Sequence, residues 1–272
     1  MMTNNASIAF SLTKKRNTDF IRFKPEMYDI AMHDKKTSMI FPAAMRHKEI
    51  CPFYQPKYNI ATDKIIGAEA LVRWFRNDKM VPPGDFLPAL EADGTIRQLD
   101  FYMIEEVCAD LRSWLDKGIE PVRISINYSK LNLQSRRLAD DTMAILEKYK
   151  IDPKYIEIEI TETSGFEDYE RMGNFISQMH DYGITISMDD FGTGYSSLNI
   201  FKNLDFDVVK LDKTFIDNIE KDIEKDEVIM QNIIKMLNDL KIEIIAEGVE
   251  TLKQVDFLKA NGCKLVQGFY YS

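Results

Sequence analysis

The stretch YIEIEITETSGFEDYERMGNFISQMHDYGITISMDD, from Tyr155 to Asp190, decides the fold. Two apolar, β-branched runs, YIEIEITE (155–162) and ITISMDD (184–190), flank a helical stretch over 167–182. Strands that alternate with helices favour a parallel sheet. Read outward, the pattern repeats from Cys51 to the end. The other runs are CPFYQPKY, IIGAEALVRW, VRISINYS, DVVKLDK, IEIIAEGVE and KLVQGFYY, with further helical stretches over 99–117, 134–149, 214–240 and 251–260. Eight such units close a (β/α)₈ barrel. The first two runs are too close in sequence for a crossover helix, so the first strand is expected to run antiparallel to the second. The expected fold is α/β, a modified TIM barrel with its first strand reversed. No sequence remains for a helix after the eighth strand, so the domain is expected to be truncated just after Ser272.

Composition limits the function classes. The chain has 272 residues, of which 45% are hydrophobic, enough for one large domain or two small ones. A net charge of −9 disfavours DNA or RNA duplex binding, and an anionic ligand would need local cations or metal ions. Cys51, Cys108 and Cys263 sit far apart in apolar surroundings and read as buried reduced thiols, hence a cytoplasmic location. His33, His47 and His180 lack metal-ligand spacing, which argues against a His/Cys zinc site. No signal peptide or membrane span is visible, so an anchor would lie elsewhere in a parent protein. Residues 1–45 differ from the rest: 6–23 read as a helix and a short strand, and AMHDKKTSMIFPAAMRHKEI as an amphipathic connector.

The chemistry lies at the strand ends, where barrel active sites form. In order these carry Gln55, Glu69, Asn127, Glu159, Asp189 with Asp190, Lys210, Glu247 and Gln267. Carboxylates and an amide without His or thiolate make an oxygen-ligand site suited to Mg²⁺ or Mn²⁺. Neighbouring strand residues point to opposite faces, but both aspartates can turn inward where the strand breaks into a Gly-rich loop. Divalent cations would neutralise the pair, and one carboxylate could bridge two metals. Taken singly, each residue has a plainer reading: a helix cap for Asn127, a surface ion pair for Lys210. Polar residues at all of these strand ends together point to a site. Two enzymes fit. One is a two-metal phosphodiesterase. The other is an enolase-like lyase, which expects a capping domain and leaves DDFGTGYSSL unexplained.

EALVRW (69–74), NYS (127–129), EITET (159–163), DDFGTGYSSL (189–198), VVKLDKTFI (208–216), AEGVET (246–251) and QGF (267–269) together resemble the EAL family, cyclic di-GMP phosphodiesterases of bacterial signalling. The resemblance covers about residue 46 to the end, and FYQPKY fits the family's opening strand. Residues 5–30, with ASIAFSLTKKRNTDFIRFKPEM, resemble the last helix and strand of a GGDEF domain. The implied organisation is a GGDEF-like tail and linker over 1–45 and an EAL domain over 46–272, with an upstream GGDEF-like or sensory domain in the parent protein.

The resemblance implies two metals per site, Mg²⁺ or Mn²⁺. Glu69, Asn127, Glu159 and Asp189 would hold the first, and Asp189 with Asp190 the second. Lys210 would orient the attacking water, with Glu247 and Gln267 completing the polar shell; Lys210, Glu247 and Glu69 are the catalytic candidates. Gln55, Leu71, Arg73 and Gln267 would contact substrate, and Glu162 would brace the aspartate loop. The product would be linear pGpG. A homodimer would use the segment after the aspartates, including Phe201 and Leu204. Degenerate relatives act as cyclic di-GMP receptors or scaffolds, typically after losing a metal ligand or the DDFGTG loop; both are intact here. The departures are small: NYS for the commoner NLS, and QGFYY for QGY.

Overall fold

The computed structural model describes residues 22–161, 169–193, 198–219 and 224–271. In chain order its helices and strands are α1 (Glu26–Arg46), β1 (Ile50–Asn59), β2 (Lys64–Arg76), β3 (Lys79–Val81), α2 (Pro83–Asp93), α3 (Ile96–Asp116), β4 (Arg123–Tyr128), α4 (Leu138–Tyr149), β5 (Ile156–Thr161), α5 (Tyr169–Asp181), β6 (Thr185–Phe191), α6 (Asn199–Asn203), β7 (Val208–Leu211), α7 (Lys213–Ile219), α8 (Glu224–Asp239), β8 (Glu243–Glu247), α9 (Leu252–Ala260) and β9 (Leu265–Gln267). They fall into two compact units, 22–51 with 72–99 and 52–71 with 100–271 in their described parts.

The larger unit holds the barrel. Strands β2, β4, β5, β6, β7, β8 and β9 pair in parallel in that order, β9 pairs antiparallel with β1, and β1 closes the ring on β2. All eight expected strands are present and the first is reversed, as the short connection requires. That connection is a tight turn. Asn59 Oδ1 accepts from the backbone N–H of Ala61 (2.9 Å) and Thr62 (3.2 Å), and Asp63 takes φ +53°.

Helix α5 shows why the crossovers pack. Its buried residues Met172, Phe175, Ile176 and Met179 fall at helical spacing on one stripe. In β5 every residue but the last is buried. Ile156, Ile158 and Ile160 alternate with Glu157 and Glu159, so one face of a wholly buried strand carries two carboxylates. That face lines the barrel interior.

The smaller unit contains α1, β3 and α2. Phe41, Trp74 and Phe86 pack as an aromatic cluster with centroids 5.4–6.1 Å apart. Trp74 Nε1 donates to Glu49 Oε2 (3.1 Å). The amphipathic connector is the helix α1. Both β3 and α2 escape the sequence reading. Helix α2 begins at Pro83 and ends at Gly94 (φ +84°), good start and stop signals, but Pro88 inside it reads as a breaker. The expected helical stretch 214–240 is found as α7 and α8, and that over 134–149 begins at Leu138. The helix and strand expected over 6–23 lie almost wholly outside the described residues.

Candidate active site at the barrel mouth

The C-terminal ends of the parallel strands bring the expected residues together around Lys210. Its Nζ lies 3.1 Å from Glu69 Oε2, 2.7 Å from Glu159 Oε2, 3.1 Å from Asp189 Oδ1 and 2.8 Å from Glu247 Oε1. Asn127 Nδ2 donates to Glu69 Oε1 (2.9 Å). Gln267 Nε2 donates to Glu69 Oε2 (2.7 Å) and to Gln55 Oε1 (3.1 Å), which ties the reversed strand to the site. Lys210 is therefore a buried hub, against the plainer reading of a surface lysine.

Asp189 and Asp190 are placed by a defect in β6. The register against β7 shifts between Met188 and Phe191, and Asp190 takes φ +56°. The left-handed residue lets two successive side chains turn to one side, and aspartate tolerates that conformation better than most. Asp190 O accepts from Thr193 N (3.2 Å) and Thr193 Oγ1 (3.0 Å), closing the turn. Gly192 follows at φ +100°, where a Cβ would collide with the Phe215 ring. One oxygen each of Asp189, Asp190 and Glu247 lie within 4.8 Å of one another.

Charge is unevenly shared. An ammonium has three protons, so Lys210 cannot satisfy four carboxylates. Asp189 Oδ1 is the atom left over: buried, ion-paired at 3.1 Å, but with no hydrogen bond. Burial, then repulsion from Glu159, Glu247 and Glu69, pushes the Asp189 carboxyl well above its ordinary range against the pull of Lys210. Burial and then Asp212 raise Asp190. Burial raises Glu247, with Lys210 opposing. Glu159 goes the other way: burial would raise it, but Lys210 and Lys57 outweigh that and hold it down at about 2. Burial would lower Lys210, yet Asp189, Glu159, Glu69 and Glu247 hold it well above its ordinary value.

Oxygen donors in excess over cations, with one buried carboxylate oxygen unbonded, fit a hard divalent cation. The donor set that would hold it is Glu69, Asn127, Glu159, Asp189 and Asp190, with Glu247 beside the two aspartates. Leu71 and Arg73 lie further along β2, both half-buried, and Arg73 Nη1 donates to Val72 O (2.9 Å). Arg73 belongs to the smaller unit. Glu162 lies outside the described residues.

Sequence reasoning missed two kinds of residue. Lys57, buried on β1, contacts Glu157 Oε1 (2.9 Å) and Glu159 Oε1 (3.0 Å). Glu157 Oε2 meets Arg123 Nε (2.9 Å), and Arg123 Nη2 donates to Glu243 Oε1 (2.7 Å). The signal was available: two same-face glutamates in a buried strand demand cations. Asp100, also buried, accepts from Ser129 N (2.7 Å) and Asn132 Nδ2 (2.8 Å), fastening the turn after Asn127.

The model of the EAL domain matches residues 40–272. The chain is 34% identical over 277 residues to the signaling protein YkoW of Bacillus subtilis (strain 168), covering 100% of this chain and 34% of that protein. It is 36% identical over 230 residues to the probable cyclic di-GMP phosphodiesterase PdeB of Escherichia coli (strain K12), covering 84% and 43%. The structure of the PaMucR phosphodiesterase in its c-di-GMP complex matches with a TM-score of 0.80 at 34% identity, covering 87% of this chain and 96% of that one. The chain thus spans well under two thirds of the length of these two curated relatives. With the family's strand-end residues gathered at one barrel mouth, this chain belongs to the EAL domain family.

Proposed function

We propose that this chain is a metal-dependent phosphodiesterase that hydrolyses cyclic di-GMP to linear pGpG. The observation that carries the reading is the surplus of carboxylate at the mouth, with Asp189 Oδ1 buried and unbonded beside Asp190 and Glu247. The relatives support the substrate: PdeB bears the name of a probable cyclic di-GMP phosphodiesterase, and PaMucR is a phosphodiesterase complexed with c-di-GMP.

In this reading Glu69, Asn127, Glu159 and Asp189 would hold one Mg²⁺ or Mn²⁺, and Asp189 with Asp190 would hold a second. Cations held there would supply charge neutralisation for the phosphodiester and a more acidic water. Lys210 then gives up part of its carboxylate contacts and donates to the attacking water, fixing its line of approach. Water oxygen bonds to phosphorus and the P–O3′ bond breaks; of the two protons the water gives up, one ends on the departing O3′ and the other leaves with the new terminal phosphate or to solvent. Glu247 shapes the polar wall, and beside bound divalent cations its carboxylate would be a weak independent base. Arg73 would contact a phosphate, a task suited to a guanidinium, and Gln55, Leu71 and Gln267 would line the dinucleotide.

The same reading assigns 46–272 to the phosphodiesterase and 1–45 to a GGDEF-like tail and linker, in a cytoplasmic part of a longer signalling protein. Among the described residues no helix is long and apolar enough to cross a membrane. A homodimer through the segment after Asp190 belongs to it too. Leu204 is buried within its own chain and is withdrawn from that surface; Phe201 leans on Phe191 at 5.5 Å, and Leu198 is exposed.

The test is incubation with cyclic di-GMP and Mg²⁺ or Mn²⁺, with chromatography for pGpG, beside a binding titration in Ca²⁺. Metal-dependent pGpG supports the enzyme. Binding without turnover makes the chain a receptor, and neither makes it a scaffold. Full activity in excess EDTA overturns the metal reading.

A further inference from the structure

Lys57 lies on the reversed strand β1, and its side chain is among the largest that are fully buried. Its stem passes Gly67 on β2, where an added Cβ would sit 3.5 Å from Lys57 Cδ and 3.0 Å from Arg123 O. Its ammonium divides between two carboxylates of one strand face, Glu157 Oε1 and Glu159 Oε1. The Glu159 carboxylate is thereby split. Oε1 is held inward by Lys57, and Oε2 is turned to the mouth, 2.7 Å from Lys210 Nζ. Glu157 is held on its other side by Arg123, so Lys57 is anchored from below.

We propose that Lys57 is a positioning residue of the site: by holding Glu159 Oε1 it presents a single oxygen of that carboxylate to a divalent cation and so sets the affinity of the metal site. This rests on the reading of Glu159 as a metal ligand, and it does not require that the chain cleave cyclic di-GMP. Partners behind a ligand act by fixing its orientation, and losing one typically costs about 10–100-fold in metal affinity or activity.

Charge and position must be separated in the test. Removing Lys57 alone also removes a positive charge, which by itself would favour cation binding and mask a positioning loss. The variant is therefore Lys57→Met with Glu157→Gln, which leaves the local net charge unchanged. Replacing a buried pair with neutral side chains is also far milder than breaking it. Mn²⁺ binding to the substrate-free protein is measured by calorimetric titration, with melting temperature without metal and kcat and KM as companion readouts.

The double variant is expected to fold, to bind Mn²⁺ about tenfold or more weakly, and to need correspondingly more Mn²⁺ for half-maximal turnover, with KM for the dinucleotide within about twofold. Glu157→Gln alone keeps Lys57 on Glu159 and is expected to lose clearly less Mn²⁺ affinity than the double variant, only the small decrease that one lost negative charge brings. Unchanged affinity in the folded double variant overturns the proposal, as does an equal loss in Glu157→Gln. If the double variant does not fold, Lys57→Arg takes its place: it keeps the charge but moves the donor, and unchanged Mn²⁺ affinity there overturns the proposal equally. A wild-type protein that binds Mn²⁺ yet makes no pGpG removes the phosphodiesterase reading and leaves the positioning role standing. One that binds no Mn²⁺ removes both.

Discussion

At the floor of the barrel interior the Glu157 carboxylate lies between Lys57 and Arg123, one cation on each oxygen, whereas at the mouth Glu69, Glu159, Asp189 and Glu247 share the three protons of Lys210. Both regions bury the same chemical groups on strands of one sheet. At the floor, paired charges repay their desolvation through close contacts and hold strands together. At the mouth, pairing is incomplete, and the shortfall falls on Asp189. A balanced cluster has nothing to gain from a further cation, while an unbalanced one gains stability when a cation arrives. The difference separates a structural ion cluster from a site more sharply than residue type does.

The largest effect is expected where the imbalance is greatest. Asp189→Asn should lower turnover by about a hundredfold or more, roughly 3 kcal/mol in the barrier, measured at saturating Mn²⁺. The same change should raise the metal-free melting temperature, because a carboxylate forced above its ordinary pKa opposes folding when ionised. Asp190→Asn should also lose most turnover but keep dinucleotide affinity better. Wild-type rates in both variants would make the aspartates structural and dissolve the contrast.

At the floor the signs reverse. Glu157→Gln breaks a balanced cluster and should cost about 3 kcal/mol of stability in denaturant titration, with turnover close to wild type. Loss of turnover without loss of stability would show that floor and mouth are not separable.

An acid titration of metal-free protein sharpens the same contrast. Asp189 has its folded pKa raised above 3.8, so its contribution favours folding at low pH and is lost as pH rises through the raised value. Glu159 is held at about 2, below its unfolded value of 4.5, so its contribution is present above 4.5 and lost as pH falls toward 2. Melting temperature should pass through a maximum between the two limbs. Asp189→Asn should flatten the higher-pH limb and leave the acid limb in place; an unaltered profile would refute the assignment.

The smallest effect is expected at Glu243, the exposed end of the floor cluster, paired with Arg123 at 2.7 Å. Glu243→Gln should change stability by less than about 1 kcal/mol, because solvent screens the pair. A loss as large as that of Glu157→Gln would mean that the floor cluster is coupled out to the surface.

Much of the site was legible because barrel chemistry collects at strand ends, and a strand end can be found from an apolar run that stops. Glu69, Asn127, Glu159, Asp189, Lys210, Glu247 and Gln267 were all identified that way. Lys57 and Glu157 were not, because they sit inside strands, where sequence shows only alternation and not which cation meets which carboxylate. Arg123 and Glu243 join them across 120 residues of chain, a separation no local pattern reports. Helix α2 was hidden by Pro88, whose local preference the surrounding packing overrides.

By itself the sequence determined the alternating strands and helices, the reversed first strand and the residues at the strand ends, because each follows from period, connection length and local chemistry. Only the tertiary structure decided that Lys210 is shared four ways, that a bulge with Asp190 at φ +56° turns both aspartates to one side, and that Asp189 is left a proton short. The physical reason is that charge balance in a buried site depends on distances of about 3 Å between strands far apart in the chain, and those distances exist only once the barrel has closed.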